Sequence, residues 1–147
     1  MTWSRSPSEL EAQYRTAPLG PLPRGCYAGR FLTWIDSRGA RRWSVRTLDS
    51  LLFRSVRFGV DFDRRLWWFG APRLGAGRFE LSQGASRWRE TETLRLTYGG
   101  SRLPRPLRSH LYDEVKSLDA DRCLGIGGVD RETGEGDHFF FSLDRIS

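Results

Sequence analysis

A length of 147 residues allows one domain with a genuine core and excludes two of ordinary size. The 38% hydrophobic and 13% aromatic content excludes a disordered chain. The net charge of +6 comes almost wholly from arginines scattered among Asp and Glu, which argues against a nucleic-acid partner. No apolar run of about 18 residues and no N-terminal hydrophobic segment is present, so the expectation is a cytoplasmic chain with no membrane partner.

Ser6-Pro7-Ser8-Glu9 reads as a capping box with Pro at the first helical position. It predicts a helix over 7–15 with Leu10 and Tyr14 on one side. Residues 16–24, with three prolines and a glycine, read as a loop. Residues 1–20 are therefore expected as a helix and loop segment ahead of one β domain over 21–147.

Gly25-Cys26-Tyr27-Ala28-Gly29 leads into a strand ending at Ile35. Tyr27, Phe31 and Ile35 share one parity and Cys26, Leu32 and Trp34 the other, which leaves the inward face ambiguous. A hairpin turn at 36–39 precedes a return strand over 42–46 with Trp43 and Val45 inward. Residues 47–55 read as a short helix or an irregular strand. Phe58, Val60 and Phe62 alternate with Gly59 and Asp61, 63–65 turn, and 66–69 form a strand aromatic on both faces. A loop over 71–77, a short strand over 78–81 and a turn over 82–86 follow.

Residues 88–98 alternate clearly, and strict alternation puts Glu90 and Glu92 on the same side as Leu94, Leu96 and Tyr98. A bulge near Thr91 would release both carboxylates to solvent. Leu107, Leu111, Val115 and Leu118 recur at helical spacing and predict a helix over about 107–118. Residues 122–129 form a strand, 130–137 a polar hairpin loop, and 138–146 a last strand with Phe139, Phe141 and Leu143 on one face. Many short strands with internal glycines predict a mostly β fold, a single antiparallel barrel or sandwich.

Inward-facing Glu90 and Glu92 would raise each other's pKa and provide a general acid or base; the alternative is a solvated pair matched with Arg87, Arg89 or Arg95. His138 offers a second acid/base or an iron ligand, or a satisfied structural imidazole. Tyr98 and Tyr27 are candidate phenolic donors inside a cavity, or core aromatics. His110 and Glu114, with Asp113 adjacent, have the spacing of a surface pair on a helix, and two ligands are too few for a metal. Cys26 and Cys123 read as buried free thiols. Gly125-Ile126-Gly127-Gly128 does not match a dinucleotide fingerprint. No cofactor and no metal is expected.

Gly25-x-Tyr27-x-Gly29 at the start of the first strand resembles the lipocalin-type Gly-x-Trp-x-Gly signature, with Tyr27 in the Trp position. The chain as a whole is similar to calycin-type single-domain barrels. The resemblance implies a lipocalin-like barrel holding a hydrophobic small molecule, with Tyr27, Trp43, Trp68, Trp88 and Phe140 as ligand-lining candidates. Enzymes of this kind include cyclases and isomerases, for which Glu90, Glu92, His138 and Tyr98 are the catalytic candidates here. Nitrobindin-like members bind haem through a histidine late in the chain, to which only His138 corresponds. Three readings stand: a small cyclase or isomerase; a non-catalytic binder of a hydrophobic molecule or haem; and a nucleic-acid or protein interaction module with an Arg/Trp face. A monomer and a homodimer are equally compatible with the sequence.

Overall fold

The computed structural model describes residues 3, 6–35, 57–102, 105, 111–129 and 138–147. The expected return strand over 42–46 with Trp43, the segment 47–55 and the loop 130–137 lie outside these residues. Among the described residues a helix α1 (Pro7–Thr16) precedes nine strands: β1 (Cys26–Ile35), β2 (Phe58–Asp61), β3 (Leu66–Phe69), β4 (Gly75–Arg78), β5 (Glu80–Ala85), β6 (Glu92–Thr97), β7 (Leu111–Ser117), β8 (Arg122–Val129) and β9 (His138–Arg145). They form one sheet in the order β4-β3-β2-β1-β9-β8-β7-β6-β5, with antiparallel pairing throughout.

Every strand except β4 and β5 thus pairs with both of its neighbours in sequence or, for β1 and β9, with each other, and the β1–β9 ladder joins the two halves of the meander. The two edges, β4 and β5, are separated in the chain by Phe79 alone. Strand pairing changes hands at that residue: β4 pairs with β3, and β5 with β6. The Phe79 amide donates to the Arg65 carbonyl at 3.0 Å. A nearly closed antiparallel barrel results, mostly β, with a short helix near its N-terminus.

Register defines the two ends. Ile35, Val129 and Leu111 lie with His138 at the upper end, and Cys26, Asp61, Ser117 and Cys123 lie at the lower. The parity ambiguity of β1 is resolved by an irregularity between Phe31 and Thr33. Below it Tyr27 faces inward. Above it the phase shifts, so Trp34 joins Phe31 inside while Leu32 packs outside. One strand therefore serves two cores.

The inner core stacks Tyr27, Phe58, Phe62, Trp67, Phe79 and Phe141 with aliphatic residues of β6 and β7. The outer core lies under α1, where Leu10 and Tyr14 cover Leu32, Leu124, Ile126 and Phe140. Leu10 and Tyr14 are fully buried, as their spacing predicts, and each such side chain contributes about 1.5–3 kcal/mol. The expected capping box is not formed; the Ser6 hydroxyl meets that of Ser8 instead.

The glycines of the Gly-x-Tyr-x-Gly segment have separate physical reasons. Gly25 sits at φ +87°, where an L side chain is strained, and its N–H donates to Asp63. Gly29 faces inward beneath the Phe58 ring; a Cβ there would meet Phe58 Cε2 at 2.2 Å.

Three sequence expectations need correction. The helix placed at about 107–118 is not one: from Leu111 the chain is strand β7, and 106–110 lie outside the described residues. Leu111, Asp113, Val115 and Ser117 face inward while Tyr112, Glu114 and Lys116 face outward. Those three outer side chains are themselves buried, at 1% exposure or less, so β7 lacks the polar-out pattern of an ordinary strand. The turn placed at 82–86 is mostly strand β5, whose polar residues reflect its edge position. The strand placed at 88–98 begins only at Glu92. Residues 86–91 are a turn closed by Ser86 N to Thr91 O at 2.8 Å, with Trp88 N and Arg89 N donating to Ser86 Oγ at 3.1 and 2.9 Å. Among the described residues no helix is long and apolar enough to cross a membrane.

Candidate functional site

The upper mouth of the barrel is lined by rings. Phe31, Trp34 and Phe139 face inward with centroids 5.5–5.6 Å apart. All three keep intermediate exposure although they point away from the outer surface, as do Leu111 and Asp113 beside them on β7. Below, Trp67 meets Phe141 edge-on at 5.7 Å, and both belong to the buried inner core.

Among the described residues, Asp113 is the carboxyl that faces inward at this end. Register sets it across from Leu96 on β6 and Gly127 on β8. The absence of a side chain at Gly127 makes room for the carboxyl, since a Cβ there would meet Asp113 Oδ1 at 2.4 Å. Tyr98 Oη donates to Asp113 Oδ2, and Trp67 Nε1 donates to Tyr98 Oη. Trp67 comes from β3 and Tyr98 follows β6, so the chain of donors runs across the barrel interior.

Burial pushes the Asp113 carboxyl up to about 7; the Tyr98 hydrogen bond opposes this rise and the Glu114 charge adds to it. Burial, and then the adjoining carboxylate, push Tyr98 well above the ordinary phenol value. Tyr98 therefore stays a neutral donor while Asp113 changes charge near neutrality. Such a carboxyl beside apolar rings can take or give a proton at physiological pH.

The sequence-predicted candidates scatter. Tyr98 is in the mouth network, and Tyr27 is inside at the lower end, its hydroxyl donating to the Ala120 carbonyl at 2.9 Å. Glu90 lies in the 86–91 turn and Glu92 at the first residue of β6, and both are exposed. The turn sets Glu90 aside, whereas Glu92 keeps the phase of Leu94 and Leu96 but stands exposed at the end of its strand. His138, Trp88 and Phe140 lie on the outer side of the wall: His138 stands edge-on to Trp88 at 4.3 Å, and Phe140 packs on Tyr14 at 6.2 Å. Trp68 is outside as well, lying over Gly59. Trp43 is outside the described residues. Trp67 and Trp68 point to opposite sides of the wall and are both buried, so they do not build a continuous Arg/Trp face.

Asp113 escaped sequence reading because its segment carries a helix-like apolar spacing. The usable signal was the alternation Leu111, Asp113, Val115, which sets one carboxyl between two apolar inward positions.

Glu114, one residue on, is fully buried on the opposite side of β7. It accepts from Tyr14 Oη and Tyr112 Oη, both at 2.9 Å, from Ser86 Oγ, and from Arg87 N at 3.2 Å. Beside it Lys116 Nζ donates to the Ala17 carbonyl at 2.7 Å and to Thr91 Oγ1. Arg89 clasps Glu11 of α1. Saturated in this way, Glu114 and Lys116 fasten α1 and the 86–91 turn to the barrel. Among the described residues no group of three or more His, Cys, Asp or Glu is placed to hold a metal ion.

Comparison with protein-family models, curated proteins and solved structures gives no match. The nearly closed nine-stranded antiparallel barrel with one N-terminal helix is consistent with a calycin/lipocalin-like fold in general.

Proposed function

We propose that the barrel admits a hydrophobic small molecule at its aromatic mouth and that Asp113 moves a proton on it, in an isomerase- or cyclase-type reaction. The supporting observation is one inward carboxyl, poised near pH 7 against apolar rings and held by Tyr98. Tyr98 occupies Oδ2 and leaves Oδ1 to meet the ligand. In the simplest cycle, ionised Asp113 removes a proton from a carbon next to a carbonyl, and the C–H electron pair delocalises onto the carbonyl oxygen. Neutral Asp113 returns that proton to another carbon of the same molecule, which leaves the ligand isomerised and Asp113 ionised again. The free buried thiols of Cys26 and Cys123 suit the cytoplasmic location proposed with this reading.

A non-catalytic binder of a hydrophobic molecule is the second reading, favoured by the Phe31–Trp34–Phe139 cluster alone. In a haem version of it, His138 on the outer face would not reach a haem in the mouth.

The test uses β,γ-unsaturated cyclic ketones, with deuterium uptake and conjugation followed in heavy water, and Nile red as a binding probe. The expected result is turnover that rises with pH through about 7 and is lost in Asp113→Asn while the dye still binds. Dye binding without exchange in the unaltered protein would leave the binder reading standing; no dye binding overturns both.

A further inference from the structure

Away from the mouth, arginines gather where the barrel wall is interrupted. Strand 75–85 leaves β3 and joins β6 at Phe79, so below that point β5 has no partner on its other edge. A depression of about 460 Å³ opens there, between Arg64 and Arg65 of the β2–β3 turn and Arg78, Glu80 and Leu81 of the bent strand, with Phe79 among its lining residues.

Of the acids near this depression, Glu80 lines it, and Asp61 and Asp63 accept hydrogen bonds from backbone amides. Asp61 Oδ1 accepts from Arg64 N at 2.9 Å, and Asp63 Oδ2 accepts from Gly25 N at 3.1 Å. Glu80 Oε1 lies toward Gly100, 3.6 Å from where a Cβ would stand on that glycine. None of the ion pairs formed among the described residues uses Arg64, Arg65 or Arg78. Three guanidinium groups therefore border one concavity with a single carboxylate, Glu80, and none of the three is tied up in an ion pair among the described residues. Arg65 is held in this place by a left-handed backbone (φ 57°), with its carbonyl accepting from Phe79.

We propose that this seam depression binds a phosphate group carried by a small molecule or a lipid head. Guanidinium forks match phosphate oxygens in pairs, and a doubly charged tetrahedral group can accept from more than one fork at once. A single carboxylate would leave most of the charge unmatched. Leu81 offers an apolar flank for the part of the ligand that carries the phosphate.

The experiment titrates the full chain with inorganic pyrophosphate by calorimetry, and with phosphatidylcholine vesicles with and without phosphatidic acid. Arg65→Ala/Arg78→Ala is compared with Arg73→Ala, an exposed arginine in the turn before β4. The expected result is binding to at least one probe that the double variant weakens by about tenfold or more and Arg73→Ala leaves within about twofold. Pyrophosphate binding marks a soluble phosphorylated ligand; vesicle binding that requires phosphatidic acid, without pyrophosphate binding, marks a lipid head. Absence of binding to either probe, or equal losses in the double variant and Arg73→Ala, overturns the proposal. Circular dichroism of the double variant keeps a folding defect from passing for a lost site.

Discussion

The Tyr98 hydroxyl and the Asp113 carboxyl meet inside the barrel, one following β6 and the other on the paired strand β7. Asp113 is therefore a proton site whose affinity depends on the closed wall.

Stability should carry the signature of that site. The unfolded chain gives up the Asp113 proton near pH 4, whereas the folded protein holds it to about pH 7. Across this window the folded state binds more protons, so the contribution is present at low pH, falls as pH rises, and is flat above about 7. Its size is at most about 4 kcal/mol, less any share that solvent reaching the mouth screens. Asp113→Asn removes this dependence: urea unfolding of variant and unaltered protein should diverge in the variant's favour from pH 5 to pH 8. Parallel curves would refute the assignment.

Tyr98→Phe deletes the hydrogen bond that holds the Asp113 value down. The Asp113 carboxyl, followed by carbon-13 NMR, should then titrate about one unit higher. An unmoved midpoint means that Tyr98 does not tune the site.

Glu114 satisfies donors from α1, β7 and the 86–91 turn at once. Truncation to Ala should cost about 3 kcal/mol, because buried hydroxyls lose their acceptor, and Tyr14→Phe about 1 kcal/mol. Hydrogen exchange of the α1 amides should accelerate in both variants. A loss of stability with unchanged α1 exchange would show that the network does not secure the helix.

Gly29→Ala forces a methyl into the Phe58 ring. Overpacking of this kind costs about 1–3 kcal/mol and should appear as a lower melting temperature, whereas Ala28→Gly beside it leaves Phe58 in place.

The sequence made much of the barrel legible wherever one strand face was apolar and the other polar or glycine. The alternation of Phe58, Val60 and Phe62 about β2 was legible; on β9 the sequence separated Phe139, Phe141 and Leu143 from His138 and Phe140 but left open which set faces inward, because Phe140 is buried as well, under α1. Reading failed at β7, whose Tyr112, Glu114 and Lys116 are covered by α1 and a turn, so the outer face carries no solvent signature. The candidate site was lost with that strand. Tyr98 was found through alternation, Asp113 was not, Glu90 was carried along by a periodicity that the Ser86 turn interrupts, and Glu92 keeps that phase but stands exposed at the end of β6.

The bend at Phe79 gives the closure an uncommon character. No ladder runs between β4 and β5, so the peptide bonds on either side of this residue, with the Phe79–Arg65 hydrogen bond, tie the two edges together. A chain cut at that point would leave every strand pairing of the sheet intact and turn a rolled wall into a ribbon with two loose margins. Phe79 is then a clasp, its ring anchored in the inner core against Phe62 at 6.1 Å. The curvature of the sheet, and with it the surroundings of Asp113, would depend on whether that clasp is shut.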